Sequence, residues 1–235
     1  PSIPEIIYSF YALNKIGAVS NFVDPRRSPE ELDALLSTMK TNACIILNDM
    51  WEKFFVVTDK HVSKMFSVSI LDSLPTIPRL LMKVKSKNRL NGKILSFSSL
   101  LKKYKDSHKA VQITYKPNTP AILEYTGGTT GISKGVVLSN ENVNSVIEQT
   151  KNSRVPLKRG ESWLSVAFPF IAYSLICSQH MPLSLGITAH LCFILEIETV
   201  EKQLLKSKIN HMANTPLMWE QITKSKSASK TDFSF

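Results

Sequence analysis

The residues best equipped for chemistry lie together at Tyr125-Thr126-Gly127-Gly128-Thr129-Thr130-Gly131-Ile132-Ser133-Lys134-Gly135. Gly127, Gly128 and Gly131 admit backbone conformations closed to other residues, so N–H groups can approach a ligand closely. Thr126, Thr129 and Thr130 add hydroxyl donors, and Lys134 adds a mobile cation. Amides, hydroxyls and one positive charge in so short a run suit a polyphosphate, whose oxygens accept many charge-assisted hydrogen bonds.

Two common nucleotide motifs fail position by position. With Lys134 on the Walker lysine, Gly128 takes the first glycine, but Ser133 occupies the second glycine position and Gly135 replaces the required Ser or Thr. Nor does the run match the GxGxxG of dinucleotide-binding folds.

The elements that must hold this loop are legible around it. Pro120–Tyr125 reads as a strand, Gly135–Leu138 as a second, and 140–151 as a helix capped by Asn140. Upstream, Ile6, Ile7, Phe10, Tyr11 and Leu13 fall at helical spacing after Pro4, with Gly17 positioned to close the helix and an extended run 18–23 after it. Ser28-Pro29-Glu30-Glu31 combines a capping serine, a proline at the first helical position and a glutamate three residues on, which predicts a helix to Met39. Ala43–Leu47 is continuously apolar, as expected of a strand covered on both faces. Further on, 51–61 reads as helix, 65–70 as strand, and 75–100 as mostly loop with one or two short helices. Strands at 163–167 and 187–193 flank a helix around 173–179, and helices follow at 199–206 and 216–223. This alternation predicts an α/β fold, a sheet flanked by helices with the loop linking two strands.

The loop resembles the phosphate-binding signature of adenylate-forming enzymes: acyl-CoA synthetases, aryl-CoA ligases, peptide-synthetase adenylation domains and luciferases. That pattern is an aromatic residue, Thr-Ser-Gly-Thr-Thr-Gly, any residue, then Pro-Lys-Gly. Gly127 stands for the usual Ser and Ser133 for the usual Pro, which removes one hydroxyl and some backbone stiffness but leaves the glycines, threonines and lysine. Val136-Val137-Leu138-Ser139-Asn140-Glu141-Asn142 also looks like the family's continuation, which disfavours a mere Gly-rich turn. Similarity extends to Ile3-Pro4-Glu5 through Asp24-Pro25. It extends also to Phe168-Pro169-Phe170-Ile171-Ala172-Tyr173-Ser174, which resembles the stretch lining the acyl pocket, with Ala172 where many members have His.

The resemblance implies that residues 1–223 form part of a large N-terminal domain, with 224–235 a polar tail or truncation end. It implies ATP, Mg2+ and CoA as cofactors, CoA as the thiol acceptor, and a small-molecule carboxylate as the group activated. Lys134 is then the catalytic candidate, residues Thr126 to Gly131 with Lys134 the nucleotide site, and Phe170, Ala172, Tyr173 and Ser174 the substrate side; no metal ligand can be named. The family's adenine-clamping segment, its magnesium-binding glutamate and its catalytic lysine are not found after Leu138, so the chain is expected to be an internal fragment. A truncated relative that binds nucleotide without chemistry is the alternative. Flanking sequence separates the two: an in-frame continuation with the missing motifs points to an enzyme. No acid lies in 168–177 to pair with a substrate ammonium, so an acyl or fatty carboxylate is expected ahead of an amino acid.

Composition narrows the remaining classes. At 235 residues, with 43% hydrophobic and 20% charged residues, the chain can bury a substantial core. The formal charge of +10 raises nucleic acid binding, but the densest basic run, Lys83 to Lys93, has no interleaved aromatics or reader motif and reads as a solvated loop. Cys44, Cys177 and Cys192 are widely spaced, indicating neither a disulfide framework nor a zinc site and suiting a cytoplasmic setting. His61, His108, His180, His190 and His211 show no ligand spacing and read as surface or packed side chains. Residues 163–195 carry no Asp, Glu, Lys or Arg, yet the solid apolar part, 166–177, falls short of the roughly 20 residues of a spanning helix, so it is expected to be buried core.

Overall fold

The structure is a computed structural model and describes residues 2–73, 94–107, 111–126, 134–192 and 196–225. These fall into two compact units, one formed by residues 24–110 and the other by 1–23 with 111–235.

The chain enters through α1 (Pro4–Lys15), which opens on a proline whose missing amide would have no intrahelical partner anyway. It ends at Gly17, whose φ of +74° is readily accessible only to glycine. The short strand β1 (Ser20–Asn21) follows.

In the 24–110 unit, α2 (Pro29–Thr38) carries the expected capping box: Ser28 Oγ accepts from the Glu31 amide, and the Glu31 carboxylate accepts from the Ser28 amide. Strand β2 (Ala43–Leu47), α3 (Trp51–His61), β3 (Lys64–Val68), β4 (Ile94–Ser96) and α4 (Phe97–Lys103) follow, with β3 central in a parallel three-stranded sheet. Strand β2 differs from expectation, for only Ile46 is buried. It lies at an edge of this sheet, so the apolar run is covered less than its composition suggests. The loop expected over 75–100 lies outside the described residues up to 93; the rest is β4 and α4.

The second unit is built on two sheets. In the first, β5 (Pro120–Tyr125) is central, parallel to β1 and antiparallel to β6 (Gly135–Ser139). Helix α5 (Asn140–Lys151) starts directly after β6. Its cap is Ser139 rather than Asn140: Ser139 Oγ accepts from the Asn142 amide and the Asn142 side chain accepts from the Ser139 amide, leaving Asn140 as the first helical residue. In the second sheet β7 (Ser162–Ser165) lies between β8 (Thr188–Leu191) and β9 (His211–Met212), all parallel.

Between β7 and β8 the chain forms one helix that begins at Ala172, runs in π geometry over Ser174–His180 and closes as α6 (Met181–Ser184). Within the stretch expected as core, Leu175 and Ile176 are core, packing with Phe10, Ala121, Ile122 and Val143, whereas Ile171 and Tyr173 are exposed. No helix among the described residues is long and apolar enough to cross a membrane. Helices α7 (Ile197–Lys206) and α8 (Pro216–Thr223) cover β7 from the other side, where Leu164, Val166, Val200, Leu204 and Ile222 form a second cluster.

Candidate functional site

Strands β5 and β6 bring the two ends of the loop together. Their register pairs Glu124 with Val136 and Tyr125 with Gly135, and one residue further the Thr126 amide donates to the Lys134 carbonyl at 3.0 Å. This neck fixes where the loop leaves the sheet. Lys134 is exposed, with its side chain available to an anion, and Thr126 is exposed beside it. Gly127, Gly128, Thr129, Thr130 and Gly131 lie outside the described residues.

The anticipated substrate residues follow β7. Phe168 and Phe170 stack with ring centroids 5.1 Å apart, and Ile171 and Tyr173 are exposed. Ala172 packs against the Phe10 and Ile122 cluster. Ser174 is fully buried, and its Oγ has no hydrogen-bond partner among the described residues.

What joins this stretch to the loop's root is Glu124, one residue before Tyr125. It is 4% exposed, with the Ala172 backbone close enough to favour its charged form. Burial pushes this carboxyl up to about 8, the Ala172 backbone pulling in the opposite direction. No group of three or more His, Cys, Asp or Glu among the described residues is placed to hold a metal ion. Sequence reasoning allows Glu124 a place near nucleotide or magnesium but reads it more plainly as a strand-end carboxylate; the signal available was a charged residue directly after the apolar run Ala121-Ile122-Leu123.

A second polar arrangement went unanticipated. Tyr11 Oη lies 2.8 Å from His180 Nδ1, and His180 Nε2 lies 3.2 Å from Asn144 Oδ1, tying α1, the π segment and α5 together. A neutral ring protonated at Nε2 satisfies both contacts, and burial lowers the pKa of His180, favouring that form. His61 lies 2.8 Å from Asp33 and His211 2.7 Å from Glu161, each a local pair. Trp51 packs on Phe55, Trp163 is buried and Trp219 is partly exposed.

Fold and neck together define an α/β protein in which a Gly- and Thr-rich segment connects the two strands of a hairpin. The chain belongs to the AMP-binding enzyme family, which it matches over residues 1–234. It is 25% identical over 194 residues to a long-chain-fatty-acid–CoA ligase of Bacillus subtilis (strain 168), covering 79% of this chain and 35% of the relative. A long-chain-fatty-acid–CoA ligase of Escherichia coli O157:H7 is 25% identical over 251 residues, covering 100% of this chain and 44% of the relative. The chain thus spans between about a third and less than half the length of these two relatives. The same fold occurs in the anthranilate CoA ligase AuaEII in complex with anthranoyl-AMP, with a TM-score of 0.80 and 16% identity over 98% of this chain and 41% of that one. It occurs also in the long-chain-fatty-acid-CoA ligase FadD1 of Archaeoglobus fulgidus, with a TM-score of 0.76 and 19% identity over 100% of this chain and 42% of that one.

Proposed function

We propose that this chain is the phosphate-holding part of an AMP-forming acid–thiol ligase. A carboxylate and ATP give an acyl-adenylate and pyrophosphate, and a thiol such as CoA then takes the acyl group. The observation that carries this reading is the loop from Thr126 to Lys134, whose ends are joined across the β5–β6 neck in a member of the AMP-binding enzyme family. The fatty-acid and anthranilate CoA ligases among its relatives support the same chemistry.

In this reading Thr126 to Gly131 and Lys134 bind the ATP phosphates. As pyrophosphate leaves, negative charge grows on the bridging oxygen, and the Lys134 ammonium with the loop amides stabilises it without having to reorganise. Phe170, Ala172, Tyr173 and Ser174 line the acyl side. The stretch from Phe168 to Cys177 has no acid, so a hydrocarbon tail is favoured over an amino acid, and its burial gains about 0.8 kcal/mol per methylene. Residues 1–223 form one part of the large N-terminal domain. By itself the chain is expected to be nearly inactive and to bind ATP weakly, since the family's adenine, magnesium and lysine groups are not found in it.

The test is carboxylate-dependent ATP–pyrophosphate exchange by the intact protein, run across acetate, medium-chain and long-chain fatty acids, benzoates and amino acids. Exchange driven by fatty acids supports the reading. A clear preference for an amino acid overturns the substrate assignment, and tight ATP binding with no exchange for any acid favours a non-catalytic module.

A further inference from the structure

Away from the nucleotide loop, the described residues form an open cleft of about 150 Å³ where three stretches of chain meet: the end of α1 with Gly17 and Ala18, residues 112–120, and Asn140 at the start of α5. Pro120 lines the cleft and begins β5, whereas the loop leaves β5 at its other end, after Tyr125. At about 3.3 Å per residue the strand sets the cleft roughly 17 Å from the neck.

The walls are tied together by hydrogen bonds of the fold. The Ile113 amide donates to the Lys15 carbonyl at 3.0 Å, and Asn14 Nδ2 donates to Asn140 Oδ1 at 2.7 Å, so α1 is joined to each of the other two stretches. Glu141 links those two to each other, accepting from the Tyr115 hydroxyl and, at 2.9 Å, from the Asn118 amide. A Cβ at Gly17 would lie 2.5 Å from Ile113 Cδ1, so the close approach of α1 to residues 112–120 depends on that glycine. A cleft already formed in this way loses little to ordering when it binds.

Its charge is one-sided. Lys15 and Lys116 line it from different stretches, no Asp or Glu lines it, and neither lysine has an ion-pair partner among the described residues. The neighbouring acid, Glu141, has both oxygens engaged by Tyr115 and Asn118. Asn140 uses its Oδ1 on Asn14 and keeps its Nδ2 group as a further donor among the lining residues. Lysine ammonium groups act as compact point charges with rotatable donors, and a dianion answers both of them where a carboxylate answers one. Pockets that take drug-sized ligands begin at about 300 Å³. A cleft half that size suits a single phosphate group and not a nucleotide.

We propose that this cleft is a second anion site, separate from the nucleotide loop, that takes one phosphate group, free or as a phosphate monoester, between Lys15 and Lys116. Neither lysine belongs to the loop, so the site stands whether or not the loop binds ATP.

The experiment is hydrogen–deuterium exchange of peptides covering 112–120 in the intact protein without nucleotide, titrated with inorganic phosphate, glycerol 3-phosphate or acetate at constant ionic strength. Wild type, Lys15→Ala, Lys116→Ala and Lys134→Ala are compared, each with a melting curve, and both cleft lysines are exposed, so the variants are expected to fold. Inorganic phosphate, glycerol 3-phosphate or both are expected to protect 112–120 saturably in wild type and equally in Lys134→Ala; which of them does so tells free anion from ester. Lys15→Ala and Lys116→Ala are each expected to raise the half-saturating concentration on the order of tenfold. No protection by either phosphate probe, equal protection by acetate, or unchanged half-saturation in both cleft variants overturns the site. Loss of the protection in Lys134→Ala overturns its separateness from the loop.

Discussion

Replacing Lys134 by Ala separates binding from folding because of where the side chain sits. Lys134 is exposed, and its described contact within the fold is its backbone carbonyl, which accepts from the Thr126 amide and survives the substitution. The thermal midpoint is therefore expected to move little, as for ordinary surface substitutions, which change stability by roughly 0.5 kcal/mol or less. One charged contact to a phosphate contributes about 1–3 kcal/mol. At about 1.4 kcal/mol per tenfold, this predicts a fall of roughly 5- to 150-fold in kcat/KM for ATP–pyrophosphate exchange. If the ammonium acts on charge that develops as pyrophosphate leaves, the loss appears in kcat; if it only holds ATP, the loss appears in KM for ATP. Lys134→Arg keeps the charge and is expected to recover part of the loss. The assay is steady-state exchange with ATP varied at saturating carboxylate, alongside a melting curve for each variant. Unchanged exchange kinetics in a folded Lys134→Ala protein refute the assignment.

Three further outcomes test the fold around the site. Gly17 and Gly160 both have positive φ, but an added Cβ meets Ile113 Cδ1 at 2.5 Å at Gly17 and open space at Gly160. Gly160→Ala is expected to cost roughly 1 kcal/mol from the backbone alone and Gly17→Ala more, read as the difference between their urea midpoints. Leu164 is fully buried among Val166, Val200 and Leu204, so Leu164→Ala is expected to lose about 2–5 kcal/mol in denaturant unfolding. His180 is held neutral by burial, so its folded pKa lies below the unfolded value near 6.5 and the unfolded chain takes up its proton first as pH falls. Wild type is therefore expected to lose stability relative to His180→Gln between pH 7.5 and 5, in paired urea titrations.

Much of the scaffold is encoded locally and was readable as such. Ser28, Pro29 and Glu31 specify the start of α2 within four residues, and Pro120–Tyr125 and Pro216–Thr223 form the strand and helix expected of them. Amides, hydroxyls and a lysine occur consecutively in the loop, so the phosphate role proposed for it does not depend on distant residues. Where several signals compete within one turn, local reading falters. Ser139 and Asn140 are both good caps, and the reciprocal bond with Asn142 decides for Ser139.

What the sequence determines by itself is therefore the elements on either side of the loop and the alternation that makes the fold α/β. Only the tertiary structure decides that β5 lies between β1 and β6, since the pairing of Ser20 with Ile122 joins segments about a hundred residues apart and no local pattern specifies it. It decides also that β2, apolar throughout, lies at a sheet edge, because burial depends on what covers a strand rather than on its own composition. The placement of Glu124 belongs to the same class. A carboxylate in an apolar strand is visible in the sequence, but its burial, which pushes its pKa up, is set by packing from chain both upstream and downstream of it.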